Sequence, residues 1–172
     1  GRTVEGQSSP DSFGNPHAEY SWIQTEAIMC DRSDLAWIEL TGRDRAKFLH
    51  NFCTQEIRGL VAGQGAEAFV TTVQAKVLAH IHVFVGNESL WMVTVESARE
   101  RLLSHLRKYQ ITEDVEFHDH SDRLGTLFVS GPDADDRLAS LRIPAASLGD
   151  HNHFWTDAVA VADRGAAASQ PM

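Results

Sequence analysis

The stretch from residue 36 to residue 57 passes from a strand period to a helix period across a single glycine, and this change constrains the fold more than any other feature. From Ala36 to Thr41 every second side chain is apolar and the side chains between them are mixed, as in a strand with one buried face. After Gly42, apolar residues recur three or four positions apart while polar residues fill the opposite side, as in an amphipathic helix. The sequence therefore predicts a strand that leads into a packing helix at 44–53.

The rest of the sequence adds a meander of strands and a second helix. Runs of β-forming residues bounded by turn residues predict strands at 66–73, 77–85, 90–95, 115–118 and 124–130, with a last one at 158–162. The segment from Ser97 to Glu100 has the pattern of a capping box and predicts a helix at 97–109, and a weaker helical pattern covers 20–29. We therefore expect an α+β fold with an antiparallel sheet, helices on one face of it, and a variant of the ferredoxin-like βαββαβ order with one extra strand.

Composition and charge narrow the function classes. The chain has 172 residues, of which 42% are hydrophobic, and can bury a core. A net charge of -9 argues against nucleic acid or an anionic membrane as a partner, because both need a basic surface. The longest apolar run, 77–85, is far shorter than the ~20 residues of a membrane-spanning helix. Cys30 and Cys53 form no redox or zinc motif, so we expect reduced thiols and a cytoplasmic protein.

Several motifs in a fixed order resemble the N-terminal part of one protein family. The first strand is followed by Gly-x-Asp-(Arg/Ala)-x-x-Phe-Leu, here residues 42–49, and then by Thr-x-(Asp/Glu)-(Val/Ile), here Thr54-Gln55-Glu56-Ile57. Ala18-Glu19-Tyr20 and Asp31-Arg32-Ser33 precede these motifs, and a run from Leu127 to Ala134 follows them. In this order the sequence resembles the glycine-cleavage T-proteins, which are aminomethyltransferases, and the YgfZ-type folate-binding proteins.

The resemblance implies a division of the chain into three parts. These are a flexible N-terminal tail at 1–17, a T-protein/YgfZ-like α+β module at 18–134, and a poorly matched segment at 135–172 that begins a truncated domain. Family members are considerably longer and enclose folate with later domains. We therefore expect a missing C-terminal half, or a partner chain, to complete any folate cavity.

The resemblance also indicates where a folate site would lie. In the T-proteins a carboxylate at the start of the second hairpin strand handles a proton while a carbon unit moves between an amine and the pterin. Its two matching positions hold Ala79 and His80 here, and the family's tyrosine and asparagine positions hold Phe84 and Val95. Tetrahydrofolate is the expected cofactor, no catalytic residue is assigned, and the expected binding residues are His80, Phe84, Val95, Thr54 and Gln55.

Three functions remain open on these grounds. The first is a folate-binding protein of the T-protein/YgfZ type that is not catalytically competent as this chain. The second is a folate-dependent aminomethyltransferase of the glycine cleavage type whose proton-handling group lies elsewhere. The third, implied by the YgfZ resemblance, is a non-enzymatic scaffold in iron-sulfur or tRNA maintenance.

Histidines and basic residues form two further patterns. Three His-x-His pairs occur, at 80/82, 118/120 and 151/153. Two imidazoles on one face of a strand can chelate a metal, but no third ligand is evident, so we predict half-exposed strand histidines and no metal site. A basic run on the second helix is predicted to be a solvated face and consists of Arg99, Arg101, Arg107 and Lys108.

Overall fold

A computed structural model describes residues 2–4, 7–9, 12–143, 153–155 and 160–162, with side chains at 12–143 and 153. The chain divides into two compact units. The smaller unit comprises Gly1–Ser33 and Gly125–Ala146, and the larger comprises Asp34–Leu124 and Ser147–Met172. Among the described residues, no helix combines the length and the apolar character that crossing a membrane requires.

The smaller unit contains two pairs of short antiparallel strands and two helices. Its elements are β1 (Arg2–Val4), β2 (Gln7–Ser9), α1 (Pro16–Thr25), β3 (Ile28–Asp31), β9 (Leu127–Ser130) and α4 (Ala134–Ser140). β1 pairs with β2, and β3 pairs with β9. The mobility expected for residues 1–17 stays a prediction. The helix predicted at 20–29 is wrong beyond Thr25, because the segment that follows is held as a strand against β9.

The larger unit is built on a five-stranded antiparallel sheet. Its strands are β4 (Leu35–Thr41), β5 (Gly65–Thr71), β6 (Val77–Val85), β7 (Leu90–Val95) and β8 (Glu116–Asp119), and their order in the sheet is β5-β6-β7-β4-β8. β6, β7, β4 and β8 have the neighbours expected of a βαββαβ arrangement, and β5 is the additional strand at the edge. The predicted α+β fold and the meander at 66–95 are confirmed.

Two helices cover one face of this sheet. α2 (Arg45–His50) contributes Phe48 and Leu49, and α3 (Glu96–Tyr109) contributes four buried residues, to one apolar cluster. The sheet side chains in that cluster alternate along the strands, and Ile38, Ile81 and Met92 among them are fully buried. Helices on one face follow directly from this alternation, as the sequence predicted.

The junction between β4 and α2 is a close backbone contact. Gly42 has φ +97°, and a Cβ atom at this position would overlap the carbonyl oxygen of Asp114 and lie 3.1 Å from the Cα of Val115. The Asp44 N–H donates to the same carbonyl at 3.1 Å. Only glycine has both the conformational freedom and the space for this approach, which explains why the strand period and the helix period meet at this residue.

The structure corrects two details of the predicted helices. α2 is shorter than 44–53 because its last turn tightens, with the Asn51 N–H donating to Phe48 and the Phe52 N–H to Leu49, and Cys53 then bridges to Val70. The capping box is also wrong. α3 begins at Glu96, directly after β7 ends, so Ser97 lies inside the first turn and no side chain caps the helix. The Glu96 N–H donates to the Asp34 carbonyl at 2.7 Å instead.

A second hairpin-like pair lies near the end of the chain. β10 (His153–Trp155) pairs antiparallel with β11 (Ala160–Ala162), and the His153 N–H donates to the Gly63 carbonyl at 2.9 Å. The strand predicted at 158–162 is present at 160–162, and its first residues lie outside the described part of the chain.

Candidate functional site

The sheet face opposite α2 and α3, here called the outer face, carries aromatic, imidazole and carboxylate side chains. These side chains alternate with the core residues of the larger unit and therefore point away from its helices. Glu67 pairs across the strands with His82, and Phe69 pairs with His80. The outer face also includes Phe84, Trp91, Val93, Trp37 and Glu39.

His80 lies at the polar end of the outer face. Its Nε2 is 2.5 Å from Glu67 Oε1, and the two side chains are 41% and 49% exposed. The His80 ring lies 5.0 Å from the rings of both Phe69 and His82. The buried Thr94 hydroxyl donates to the His80 carbonyl at 2.7 Å and holds the backbone of the strand. The residue at the expected carboxylate position is therefore an accessible imidazole that already pairs with a carboxylate from the next strand.

Phe84 lies at the apolar end of the same face. Its ring stacks on Trp37 with centroids 6.2 Å apart and packs edge-on against His153 at 5.3 Å. Trp91 packs against Trp37, also at 6.2 Å. Because Phe84 is only 4% exposed, its ring supports the shape of the outer face and has little surface left for a ligand.

The remaining expected binding residues lie at the margins of the sheet. Val95 ends β7 and is 45% exposed, on the strand beside His80. The Thr54 N–H donates to the Phe69 carbonyl, and the Phe69 N–H donates to the Thr54 hydroxyl, each at 3.0 Å. Gln55 is exposed, and its carbonyl accepts from the Cys53 thiol at 3.4 Å. Thr54 is therefore hydrogen-bonded to Phe69, which is the cross-strand neighbour of His80. No described contact joins Gln55 to the outer face.

Glu56, in the same motif, is a poor candidate for proton transfer. Hydrogen bonds from the Arg58 side chain lower the pKa of the Glu56 carboxyl to about 2. The carboxylate stays charged at neutral pH and anchors its own loop.

The basic run on α3 is partly neutralised. Arg99 lies 2.8 Å from Glu96 and 3.3 Å from Asp119, and Arg101 donates to the Leu78 carbonyl at 2.6 Å. A cavity of about 270 Å³ beside Arg99 also contains Arg107. Acidic partners at Arg99 disfavour a phosphate site there.

The smaller unit has a wider groove of about 500 Å³. Trp22, Ile23 and Met29 line it, together with Glu19 and Glu26. The groove contains none of the residues that the sequence motifs assign to a folate site.

Comparison with known proteins identifies the family. The sequence pattern of the GCVT N-terminal domain matches residues 3–170, which is nearly the whole chain. The chain belongs to the GCVT N-terminal domain family. This GCVT domain is similar to an aminomethyltransferase of Rubrobacter xylanophilus, with 25% identity over 130 residues, or 76% of the chain and 35% of the relative.

Two further relatives agree with this assignment. A chloroplastic protein of Arabidopsis thaliana that is named as a transferase is 23% identical over 165 residues, which cover 94% of this GCVT domain and 38% of the relative. The crystal structure of the glycine cleavage system aminomethyltransferase T from Bartonella henselae superposes with a TM-score of 0.72 at 18% identity, over 80% of the chain and 38% of that protein. The chain thus spans about two fifths of the length of these relatives, and its fold is that of a glycine cleavage T-protein.

Sequence reasoning missed one member of the site, Glu67. Its signal is an acidic residue between two buried alanines of β5, Ala66 and Ala68, which places it on the outer face. Only the strand register brings it to His80 and His82.

Proposed function

We propose that this chain forms one wall of a tetrahydrofolate-type binding site and does not by itself transfer aminomethyl groups. The proposal rests on the position and the surroundings of His80. It occupies the position where the family resemblance places a carboxylate, it is accessible, and it lies between an exposed aromatic ring and a hydrogen-bonding carboxylate. Folate dependence of the aminomethyltransferase family supports the cofactor class.

The chemistry of the outer face suits a flat heteroaromatic ligand. Phe69 is 44% exposed and offers a ring face for stacking, while the imidazole of His80 can donate or accept a hydrogen bond. A neutral imidazole does not reproduce a permanent negative charge. Binding by this wall is therefore weaker than binding by a carboxylate, and a C-terminal half or a partner chain completes the cavity. The cytoplasmic location of the chain stays a prediction.

The binding test replaces His80 by Asp in a Glu67→Gln background. Glu67 lies so close to His80 that His80→Asp alone would set two carboxylates side by side, and their repulsion would mask the gain. A charge-assisted hydrogen bond is worth roughly 1 kcal/mol more than a neutral one, so we expect the double variant to bind reduced folate about fivefold more tightly than Glu67→Gln.

His82→Asp in the same Glu67→Gln background is the matched control. It adds the same charge to the same strand face and is expected to leave the affinity unchanged. Calorimetric titration at constant ionic strength, with EDTA present, measures both variants. Equal affinities would refute a role for position 80. If no variant binds folate, the scaffold function in iron-sulfur or tRNA maintenance takes its place.

The second candidate function is aminomethyl transfer, and the position of the Glu67 carboxylate beside His80 favours it. A carboxylate beside the family's catalytic position, paired with an imidazole, is a combination that can move a proton. Turnover of tetrahydrofolate with an aminomethylated carrier protein, compared with a reaction without the chain, distinguishes the two functions. We expect no rate above the control. A clear rate that Glu67→Gln abolishes would establish the enzyme instead.

A further inference from the structure

The polar end of the outer face gathers three groups that commonly ligate metals. One ligand atom from each of Glu67, His80 and His82 lies within 4.8 Å of the other two. The two histidines are adjacent on one face of β6, and the carboxylate comes from β5 directly opposite His82. The third ligand that the sequence alone did not reveal is therefore supplied across the strands.

The backbone beneath these side chains is held in place. His80 and His82 belong to a strand that pairs on both sides, and the buried Thr94 hydroxyl fixes the His80 carbonyl. Phe69 packs at 5.0 Å from the His80 ring and restricts its rotation from one side. The backbone therefore needs no further ordering when an ion binds, which lowers the entropic cost at a site built from few ligands.

The donor set fits a borderline divalent ion. Two imidazole nitrogens and one carboxylate oxygen bind Zn²⁺ at about 2.0–2.2 Å, which sets the ligand atoms roughly 3.4 Å apart in a tetrahedron. The present separations need only small side-chain rotations, which the partial exposure of Glu67 and His80 permits. We propose that Glu67, His80 and His82 form a Zn²⁺ site with three protein ligands and an open position toward solvent.

The zinc site does not depend on the proposed folate role. It needs only the donor atoms of the three side chains, whether or not the chain binds a pterin. The two roles compete at one point, because a metal-bound His80 nitrogen is no longer available to a pterin. For this reason the folate titration above contains EDTA and the metal titration contains no folate, so that failure of one does not imply failure of the other.

A second histidine pair on the same sheet provides a matched control. His118 Nε2 lies 3.2 Å from the Thr41 hydroxyl, and His120 Nε2 lies 3.0 Å from Glu39. This pair has the same His-x-His spacing, but among the described residues it belongs to no three-ligand group. Spacing alone therefore predicts equal zinc binding by both pairs, whereas the cross-strand geometry predicts binding at Glu67, His80 and His82 only.

The test is calorimetric titration of ZnCl₂ into the untagged, EDTA-treated and desalted chain. We expect one ion per chain. Loss of a residue that only hydrogen-bonds to a metal ligand typically lowers metal affinity by roughly 10–100-fold. Loss of a ligand itself should lower the zinc affinity at least as much, and we expect this of each of three variants, Glu67→Gln, His80→Asn and His82→Asn. His118→Asn should leave the affinity unchanged. Circular dichroism verifies that each variant is folded, and the thermal midpoint of the wild-type chain should rise with zinc concentration as linkage requires.

Substitution of Co²⁺ for Zn²⁺ gives a readout of the ligand set itself. A site with nitrogen and oxygen donors in low coordination gives visible d–d absorption, which His82→Asn should reduce. The proposal is overturned if the wild-type chain binds no zinc, if the three ligand variants bind as tightly as wild type, or if His118→Asn weakens binding as much as they do.

Discussion

Gly42→Ala should destabilise the larger unit strongly, because the glycine at the strand-to-helix junction is fixed by two separate constraints. Its φ of +97° disfavours any residue with a Cβ, at about 1–2 kcal/mol. The new Cβ would also overlap the Asp114 carbonyl and force it away, which breaks the hydrogen bond from the Asp44 N–H and costs about another 0.5–1.5 kcal/mol. We expect the free energy of unfolding to fall by about 2–3 kcal/mol.

Gly59→Ala is the control for this experiment. A Cβ atom at Gly59 would meet no described atom within 4 Å, and the residue is not in the positive-φ region. The substitution should therefore be neutral or stabilise the chain by less than about 1 kcal/mol. Equilibrium unfolding in urea, followed by tryptophan fluorescence and circular dichroism, measures both variants. If Gly42→Ala and Gly59→Ala differ by less than about 1 kcal/mol, the close approach to Asp114 is not what selects glycine.

Two further predictions concern the hairpin and the buried histidine. Ala75 adopts φ +59° in the β5–β6 connection. Ala75→Gly should therefore stabilise the chain by up to about 1 kcal/mol in urea unfolding. Gln74 lies in the same turn without a positive φ, so Gln74→Gly should only destabilise the chain. Burial lowers the pKa of His153, so the unfolded chain binds its proton more readily, and stability should be complete above about pH 6.5 and fall as the pH drops below it. His153→Phe keeps a ring against Phe84 and should reduce that acid-induced loss, and an unchanged pH dependence would contradict the assignment.

The fold could be predicted from the sequence because the hydrophobic repeats that determine it lie within single strands and helices. The alternation in β4, β6 and β7 and the apolar spacing in α2 and α3 each determine which side of an element is buried, and buried sides must meet. The predictions are wrong at the ends of helices, where a few hydrogen bonds determine which residue is the first or the last of the helix. Thus Ser97 resembles a cap, yet the helix already begins at Glu96, directly after β7 ends at Val95.

The candidate site was less predictable because it depends on strand register. A three-residue turn at 74–76 would pair Glu67 with Val83 on the buried face, whereas the actual connection leaves Glu67 opposite His82. Thr71 pairs with Val77, and an irregularity between Val70 and Thr71 then shifts the register by one residue, so that Glu67 lies opposite His82 and not opposite the buried Ile81. Such a shift reverses the face of every side chain in a strand, and no local pattern indicates it. The individual histidines were visible in the sequence, but their third neighbour was not.

The segment after α2 also bears on how this chain avoids pairing with its own copies during folding. Free sheet edges are templates for pairing with other chains, and β5 is an outermost strand. Over residues 69–71 that edge is already occupied, because Thr71 donates to the Phe52 carbonyl and Thr54 both donates to and accepts from Phe69. The threonine of the family motif thus acts as a built-in cover against intermolecular strand addition. This part of the edge is covered whether or not the chain binds a ligand, because the contacts lie within the chain itself.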